Sequence, residues 1–307
     1  MSEAVNQSVS TSKGLLQVMR NRPLFYFFVL SYAFSWLISL PYVLSVWGIL
    51  PGDYTIGFAL KQWGGPALAG IIMASIVEGR TGRLNLRHRI RDLRAGWQWY
   101  LFILLGIPAL ILLGVVIQPG ARAGFQGFTG KAWVSYPIYF VIVFFGVGLP
   151  EEIGWRGFAL PRMQLRFGPL RSSLLLGALW AFWHLLCFLL PDHGGGPDVS
   201  LVAFLINFSV FFLMVVALTL IFTWVFNGTH GSIFIASLLH AAIDTPQLVW
   251  LPLFLGVGAS NSTKGETALN LAVLVVFGTL ALLILILTRG RLGYQSNTTD
   301  CVGETCR

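Results

Sequence analysis

The stretch "WVSYPIYFVIVFFGVGL", residues 133–149, is a long apolar segment without a single charge. It is followed at once by "PEEIGWRG", residues 150–157, which carries two adjacent carboxylates and an arginine. A helix needs about twenty apolar residues to cross a hydrocarbon core about 30 Å thick, so a segment of this kind predicts a membrane helix. The sequence therefore predicts a membrane protein that places Glu151, Glu152 and Arg156 at the end of one of its spans.

The composition of the whole chain agrees with a membrane protein. Of its 307 residues, 56% are hydrophobic and only 10% are charged, and the mean hydropathy is +0.76. Soluble domains carry about a quarter charged residues. We therefore predict an all-α polytopic protein of eight transmembrane helices with a polar catalytic cavity inside the bundle. The predicted segments are 24–50, 57–77, 97–117, 132–150, 172–190, 200–226, 231–250 and 268–288.

The predicted domain organisation is simple. A polar cytoplasmic N-terminal tail (1–23) precedes a single transmembrane domain (24–288), and a polar cytoplasmic C-terminal tail (289–307) follows it. The residues that suggest chemistry fall within 130–250 of that domain.

The distribution of basic residues predicts the orientation. If the N-terminus is cytoplasmic, the inner side holds all of the 20 Lys and Arg residues except Lys61, Arg122, Lys131 and Lys264. Cytoplasmic loops carry such an excess, so we expect a multi-pass protein of the cell membrane with both termini in the cytoplasm. The Arg-rich loop 80–94 is interpreted as a topology determinant that lies on anionic lipid, and the alternative is a specific site for a lipid headgroup or a partner. The lipid bilayer is thus an expected partner, and nucleic acid is not.

Ionisable residues inside the apolar segments are few, and they form three groups. A charged side chain at the bilayer centre costs about 2.5–3.5 kcal/mol on insertion scales, so such residues usually face the bundle interior and serve function. The groups are Glu151 and Glu152 with Arg156, then His184 alone, then His240 with Asp244.

Helical spacing assigns these residues to faces. Glu152 and Arg156 are four residues apart, which predicts that they pair on one face. Glu151 is rotated by about 100° from Glu152, so it points elsewhere and is left free. His240 and Asp244 are also four residues apart and are expected to project together.

We expect the three groups to meet in one cavity that opens toward the cytoplasm. The carboxylate pair would hang from the end of the fourth segment near Pro150, where a helix is expected to bend or restart. A carboxylate and an imidazole that share a water can act as a general base for attack on a carbonyl. A second imidazole can donate a hydrogen bond to the resulting oxyanion. The residues therefore favour a hydrolytic enzyme.

The same residues resemble the motifs of a known family. "EEIGWR" is similar to the EExxxR motif of the CPBP family, which comprises CAAX proteases and bacteriocin-processing enzymes and is also called the Abi family. "HAAID" is similar to its HxxxN or HxxxD motif, and "WAFWH" to its FxxxH motif, with Trp180 in the phenylalanine position. The resemblance covers about 130–250. It implies an intramembrane glutamic endopeptidase with an eight-helix core and no required metal or cofactor, which acts on a membrane-associated protein or peptide, prenylated or not.

The resemblance also implies a role for each site residue. Eukaryotic CAAX proteases have asparagine where this chain has Asp244. A carboxylate donates to an oxyanion only when it is protonated, so the alternative role of Asp244 is to orient His240. Carried over by position, the implied roles are water activation by Glu151 and His184, an oxyanion site at His240 and Asp244, and support from Glu152 with Arg156.

Other interpretations of these residues stay open. The side chains of Glu151, His184, His240 and Asp244 suit zinc chemically, although they lack the H-E-x-x-H spacing of helical zinc sites. A non-catalytic transport or immunity protein could use the same polar cluster for binding or gating. Cys187 lies one turn from His184 and could be a nucleophile, but a buried cysteine more often packs as a small apolar residue.

Overall fold

The structure is a computed structural model that describes residues 14–117, 124–191, 195–197, 199–255 and 263–295. Over these ranges the chain is almost entirely helical and contains no strand, which confirms the all-α prediction. Much of both predicted tails lies outside the described residues. The long helices are α1 (Pro23–Val46), α2 (Leu68–Arg91), α3 (Trp97–Val116), α4 (Gly130–Val143), α5 (Leu160–Trp183), α6 (Leu201–Gly228), α7 (Ile233–Val249) and α8 (Thr263–Thr288).

Within the described residues, six stretches are long and apolar enough to cross a membrane. This finding agrees with a polytopic membrane protein, but it does not confirm the predicted count of eight. One reason is that the predicted fourth and fifth segments belong to one helical stretch. Another is that α2, which continues the predicted second segment, carries charges from Glu78 onward. The six are Pro23–Val46, Trp97–Val116, Gly130–Leu189, Leu201–Gly228, Ile233–Phe254 and Asn270–Thr288.

The stretch Gly130–Leu189 runs helically through Pro150, so the helix does not restart there, which was one of the two predicted outcomes. Proline lacks an N–H and crowds the carbonyl one turn earlier, which normally breaks an α-helix. Here π-helical turns stand on both sides of it, at Phe144–Gly148 and Ile153–Ala159, and their wider spacing accommodates the ring. A non-helical residue interrupts the stretch further on, at Gly168, which has φ 73°. The two glutamates therefore lie inside the stretch rather than at its end.

Helix starts follow the capping chemistry of the sequence. Ser232 precedes α7, and its hydroxyl accepts a hydrogen bond from the backbone N–H of Ile235. Ser200 caps α6 and Thr129 caps α4 in the same way. A hydroxyl at this position satisfies one of the free N–H groups of the first turn.

Helix α7 is the central helix of the described bundle. In the candidate span that contains it, 67% of the most apolar window is buried, against 22% to 33% in the other five. It contacts α3, α4, α6 and the π turn Phe144–Gly148. Side chains on α7 are therefore directed at protein on most sides.

Two glycines let the stretch Gly130–Leu189 approach its neighbours closely. A Cβ at Gly148 would lie 2.9 Å from the carbonyl oxygen of Ser237 in α7. A Cβ at Gly154 would lie 2.5 Å from the carbonyl oxygen of Pro66, in the π turn Trp63–Ala67 that precedes α2. Small residues at helix contacts are how membrane helices come into close packing. These two contacts place the carboxylate pair between α7 and the start of α2.

The predicted loop 80–94 is mostly helical, because α2 continues to Arg91. The predicted position on lipid is wrong for Arg89, whose guanidinium turns inward. Burial and the nearby Arg162 lower the pKa of Arg89 to about 10, so it remains charged at neutral pH. It donates three hydrogen bonds of 2.8 to 3.0 Å to backbone carbonyls, those of Gly231, Gly157 and Arg156.

Candidate active site

A cavity of about 240 Å³ lies between the helices, and the three polar groups of the sequence meet at it. Two of the predicted site residues, Glu152 and Arg156, stand behind its wall and are completely buried. The lining includes the other four, which are Glu151, His184, His240 and Asp244.

Two indole groups hold the carboxylate of Glu151. Its Oε2 accepts hydrogen bonds from Nε1 of Trp180 at 2.7 Å and from Nε1 of Trp155 at 3.2 Å. The prediction that Glu151 is left free is therefore wrong for this oxygen. In the described part of the chain, no side chain donates to Oε1. Because Glu151 lines the cavity, Oε1 is the oxygen that can accept a hydrogen bond from water there.

The two tryptophans were not predicted as site residues, although the sequence carries signals for both. Trp155 stands four residues after Glu151 and therefore on the same face. Trp180 lies one turn before His184 in an apolar segment. A buried indole N–H usually finds an acceptor, and few acceptors exist in such a segment. A carboxylate on a neighbouring helix is the natural candidate.

His184 opens the 3₁₀ turn His184–Leu189 at the end of α5. Its Nδ1 lies 2.9 Å from the carbonyl oxygen of Trp180. A carbonyl only accepts, so Nδ1 carries the proton, and Nε2 of the neutral ring carries the lone pair. The ring meets the side chains of Trp183 and Phe211 edge-on. These contacts fix the tautomer and the orientation that a general base needs.

Glu152 joins two helices through one oxygen. Its Oε1 accepts from Nη1 of Arg156 at 3.0 Å, which confirms the predicted contact, and it lies 2.9 Å from Nδ1 of His240. The contact with His240 was not predicted. The guanidinium of Arg156 also lies 4.4 Å from the ring centroid of Trp180 and 4.1 Å from that of Phe222. Aromatic faces attract a desolvated cation, so they complete the surroundings of this buried arginine.

His240 stands between two carboxylates. Its Nε2 lies 3.5 Å from Oδ2 of Asp244, one turn along α7, as the spacing predicted. Its Nδ1 faces Glu152. Asp244 is the more open of the two carboxylates, with 34% of its side chain exposed. The ring is thereby held with its Nε2 edge toward the cavity.

The lining also includes Lys61, a charged residue that the sequence does not predict as part of the site. The sequence places Lys61 among the basic residues of the outer side, but it is only 8% exposed and lines the cavity. Its Nζ donates to Sγ of Cys187 at 3.1 Å. Counting basic residues between apolar segments assigns each loop to a side of the membrane, but it cannot identify a lysine whose side chain turns inward. This contact gives the thiol of Cys187, the alternative nucleophile, no general base, because an ammonium only donates hydrogen bonds.

Over the described ranges, no group of three or more His, Cys, Asp or Glu residues has positions suited to hold an ion. The carboxylates that line the cavity are those of Glu151 and Asp244, and the imidazoles are those of His184 and His240.

Comparison with known proteins covers the same region. Residues 133–246 match the family model described as type II CAAX prenyl endopeptidase Rce1-like. A curated relative, CAAX prenyl protease 2 of Methanococcus maripaludis, is 29% identical over 149 residues, which is 47% of this chain and 54% of the relative. The chain thus matches about half the length of that relative. All six predicted site residues lie within the matched range, and Lys61 lies outside it.

Proposed function

We propose that this chain, whose residues 133–246 match the model of Rce1-like type II CAAX prenyl endopeptidases, is an intramembrane endopeptidase. The observation that carries the proposal is the shared cavity of Glu151 and His184. Both side chains line the same space, and each is oriented by a hydrogen bond with Trp180 behind it.

The proposed reaction begins with a water held by Oε1 of Glu151 and Nε2 of His184. Removal of one water proton by this pair makes the oxygen a nucleophile that adds to the carbonyl carbon of the scissile bond. When the tetrahedral intermediate collapses, the C–N bond breaks and the same proton passes to the leaving amine. Such positioned proton transfer contributes about 10²- to 10⁴-fold to rates.

His240 would stabilise the oxyanion of that intermediate. A ring N–H aimed into a cavity can donate to the developing negative charge, and such donors are among the strongest catalytic contributions. Asp244 faces the same N–H at 3.5 Å and would orient the ring before substrate binds, and that N–H would then donate to the oxyanion instead. Glu152 would orient the ring from the other side, since its Oε1 contacts Nδ1 of His240 and also accepts a hydrogen bond from Arg156.

The proposed substrate is a membrane-associated protein or peptide that reaches the cavity from the bilayer. Apolar side chains such as Phe211, Met214 and Leu218 line the cavity beside the polar ones, which suits a peptide with apolar residues. The matched relative is called a prenyl protease, so prenylated tails are one class to test first. We further propose that the protein resides in the cell membrane with both termini in the cytoplasm.

The function is tested by comparing membrane-associated peptides of a deletion strain complemented with wild-type protein or with Glu151→Gln. Glutamine keeps an oxygen that accepts from both indoles but cannot take a proton from water, so the fold is retained and cleavage is lost. Asp53→Asn, which alters an exposed carboxylate before α2, is the control and should complement fully. If the Glu151→Gln strain shows the wild-type peptides, the proposed mechanism is wrong.

A further inference from the structure

We propose that Lys61 and Gln62 form a carboxylate-binding subsite of the cavity and that its ligand is the free C-terminal carboxylate of the substrate peptide. The inference rests on the proposed peptidase function and deepens it, because it defines which end of a peptide enters. The subsite lies outside the residues that the family model matches.

The surroundings of Lys61 leave its charge without a strong acceptor. The residue is more than nine-tenths buried, and its Nζ faces the sulfur of Cys187 at 3.1 Å and the ring centroid of Phe58 at 4.0 Å. A thiol sulfur accepts only weakly. Among the described side chains, no carboxylate oxygen lies within 4.0 Å of this ammonium. Buried cations are normally paired, so a lysine of this kind that lines a cavity points to an anion from outside the chain.

Gln62 supplies the second observation. It lines the same cavity, and its Oε1 is buried without a hydrogen-bond partner in the described part of the chain. Buried polar atoms of this kind are rare and call for an explanation. The amide N–H of Gln62 can donate to a carboxylate while Oε1 accepts the N–H of the last peptide unit. Ammonium and amide together then match a chain terminus, which offers one anion and one nearby donor.

The chain fixes this subsite relative to the catalytic groups. Ser35 of α1 donates a hydrogen bond of 2.8 Å to the carbonyl oxygen of Lys61. The π turn that follows Gln62 packs its Pro66 against Gly154, three residues from Glu151. A carboxylate held at Lys61 therefore lies in the same small cavity as the water-activating group. Every unmodified peptide carries one carboxylate at its C-terminus, so this geometry favours cleavage close to that end.

A different role for Lys61 is to balance charge inside the protein. Glu151, Glu152 and Asp244 outnumber Arg156 and Lys61 around the cavity, and an ammonium there stabilises the carboxylates. Loss of that effect would change the cleavage of every substrate alike. A carboxylate-binding role instead changes the cleavage of only those peptides that present the group. The two roles therefore separate in a comparison of matched substrates.

The test uses the full-length protein in lipid vesicles with one membrane-anchored peptide made as a C-terminal acid and as a C-terminal amide. A third peptide, an acid whose Asp and Glu side chains are changed to Asn and Gln, separates the terminal carboxylate from side-chain ones. We expect the wild type to cleave both acids with a KM at least about tenfold lower than that of the amide, because a desolvated charge pair is lost in the amide. Lys61→Met should raise the KM of the acids to that of the amide. Lys131→Met, at an exposed lysine, should keep the wild-type preference.

Gln62→Glu provides a second variant that keeps the lysine. Its added negative charge should repel the acid, so the KM of the acid rises while that of the amide changes less. Equal cleavage of acid and amide by the wild type overturns the subsite, as does an equal loss for both in Lys61→Met. If the wild type cleaves the intact acid in preference but not the peptide without acidic side chains, the terminal carboxylate is not the ligand. Absence of any cleavage by the wild type would instead count against the peptidase function itself.

Discussion

Replacing Trp180 with phenylalanine isolates the hydrogen bond that orients Glu151. Phenylalanine keeps an aromatic face over Arg156 but removes the N–H that lies 2.7 Å from Oε2. A hydrogen bond to a charged group contributes about 1.5–3 kcal/mol, whereas one between neutral groups of membrane helices averages about 0.6 kcal/mol. If Glu151 is a carboxylate, the variant should therefore lose about 1.5–3 kcal/mol of unfolding free energy beyond the cost of the smaller ring.

Trp183→Phe measures the loss of unfolding free energy that comes from the smaller ring alone. Trp183 is 2% exposed, and its Nε1 is buried with no acceptor in the described part of the chain, so this change removes ring volume and no hydrogen bond. Both variants are unfolded in the same detergent, and the difference between their unfolding free energies is the measured quantity. We expect kcat/KM of Trp180→Phe to fall by up to about 10²-fold, because Glu151 loses the donor that positions it and a misplaced catalytic group costs about that much. A difference of about 0.6 kcal/mol or less would refute a charged, indole-held Glu151.

Substitutions at Arg89, Asp244 and Gly154 test the framework around the site. Arg89→Lys should lower the unfolding free energy in detergent by at least about 2 kcal/mol, because the donors of an ammonium radiate from one nitrogen and cannot reach the three carbonyls that Nε, Nη1 and Nη2 of arginine reach separately. Arg87→Lys, at an exposed position, should change nothing measurable. Asp244→Asn should keep kcat/KM within about tenfold of wild type, since an amide oxygen still accepts from His240. Asp244→Ala should lower kcat/KM about 10²-fold. An equal loss in both variants would mean that the negative charge of Asp244 is required. Gly154→Ala should cost about 1–3 kcal/mol of unfolding free energy, because its Cβ would meet backbone in the facing π turn, and a neutral result would show that the helices do not touch there.

Interactions within one helix could be predicted from the sequence. The spacing of four residues placed Glu152 beside Arg156 and His240 beside Asp244, and both contacts are present. Helix geometry alone fixes such neighbours, so no knowledge of the fold is needed. The apolar segments likewise predicted an all-α membrane protein, although they did not establish how many helices cross.

Interactions between helices could not be predicted in the same way. The bond from Trp180 to Glu151 and the contact of His240 with Glu152 depend on which faces meet, and small residues such as Gly148 decide that. Hydropathy records that a segment is apolar but not which side of it faces protein. The sequence therefore named the catalytic candidates and missed the donors that hold them.

The inward position of Lys61, near the beginning of the second predicted segment (57–77), was not predicted for a related reason. Gly64, Gly65 and Pro66 follow Lys61 closely in the sequence. The structure forms a π turn there, and the small residues serve close contact with neighbouring helices. A lysine next to small residues in an apolar segment is thus a signal for an inward-facing cation as much as for a loop.

The most direct test of the central claim is cleavage of a membrane peptide by purified protein in ¹⁸O-labelled water with a metal chelator present. Wild-type protein should cleave the peptide, and the new C-terminal carboxylate should carry one ¹⁸O atom, since water is the nucleophile. Glu151→Gln should show the unfolding temperature of the wild type but no cleavage, and Asp53→Asn should cleave normally. Cleavage by Glu151→Gln at the wild-type rate, or loss of wild-type cleavage on chelation alone, would contradict a water activated by Glu151 and His184.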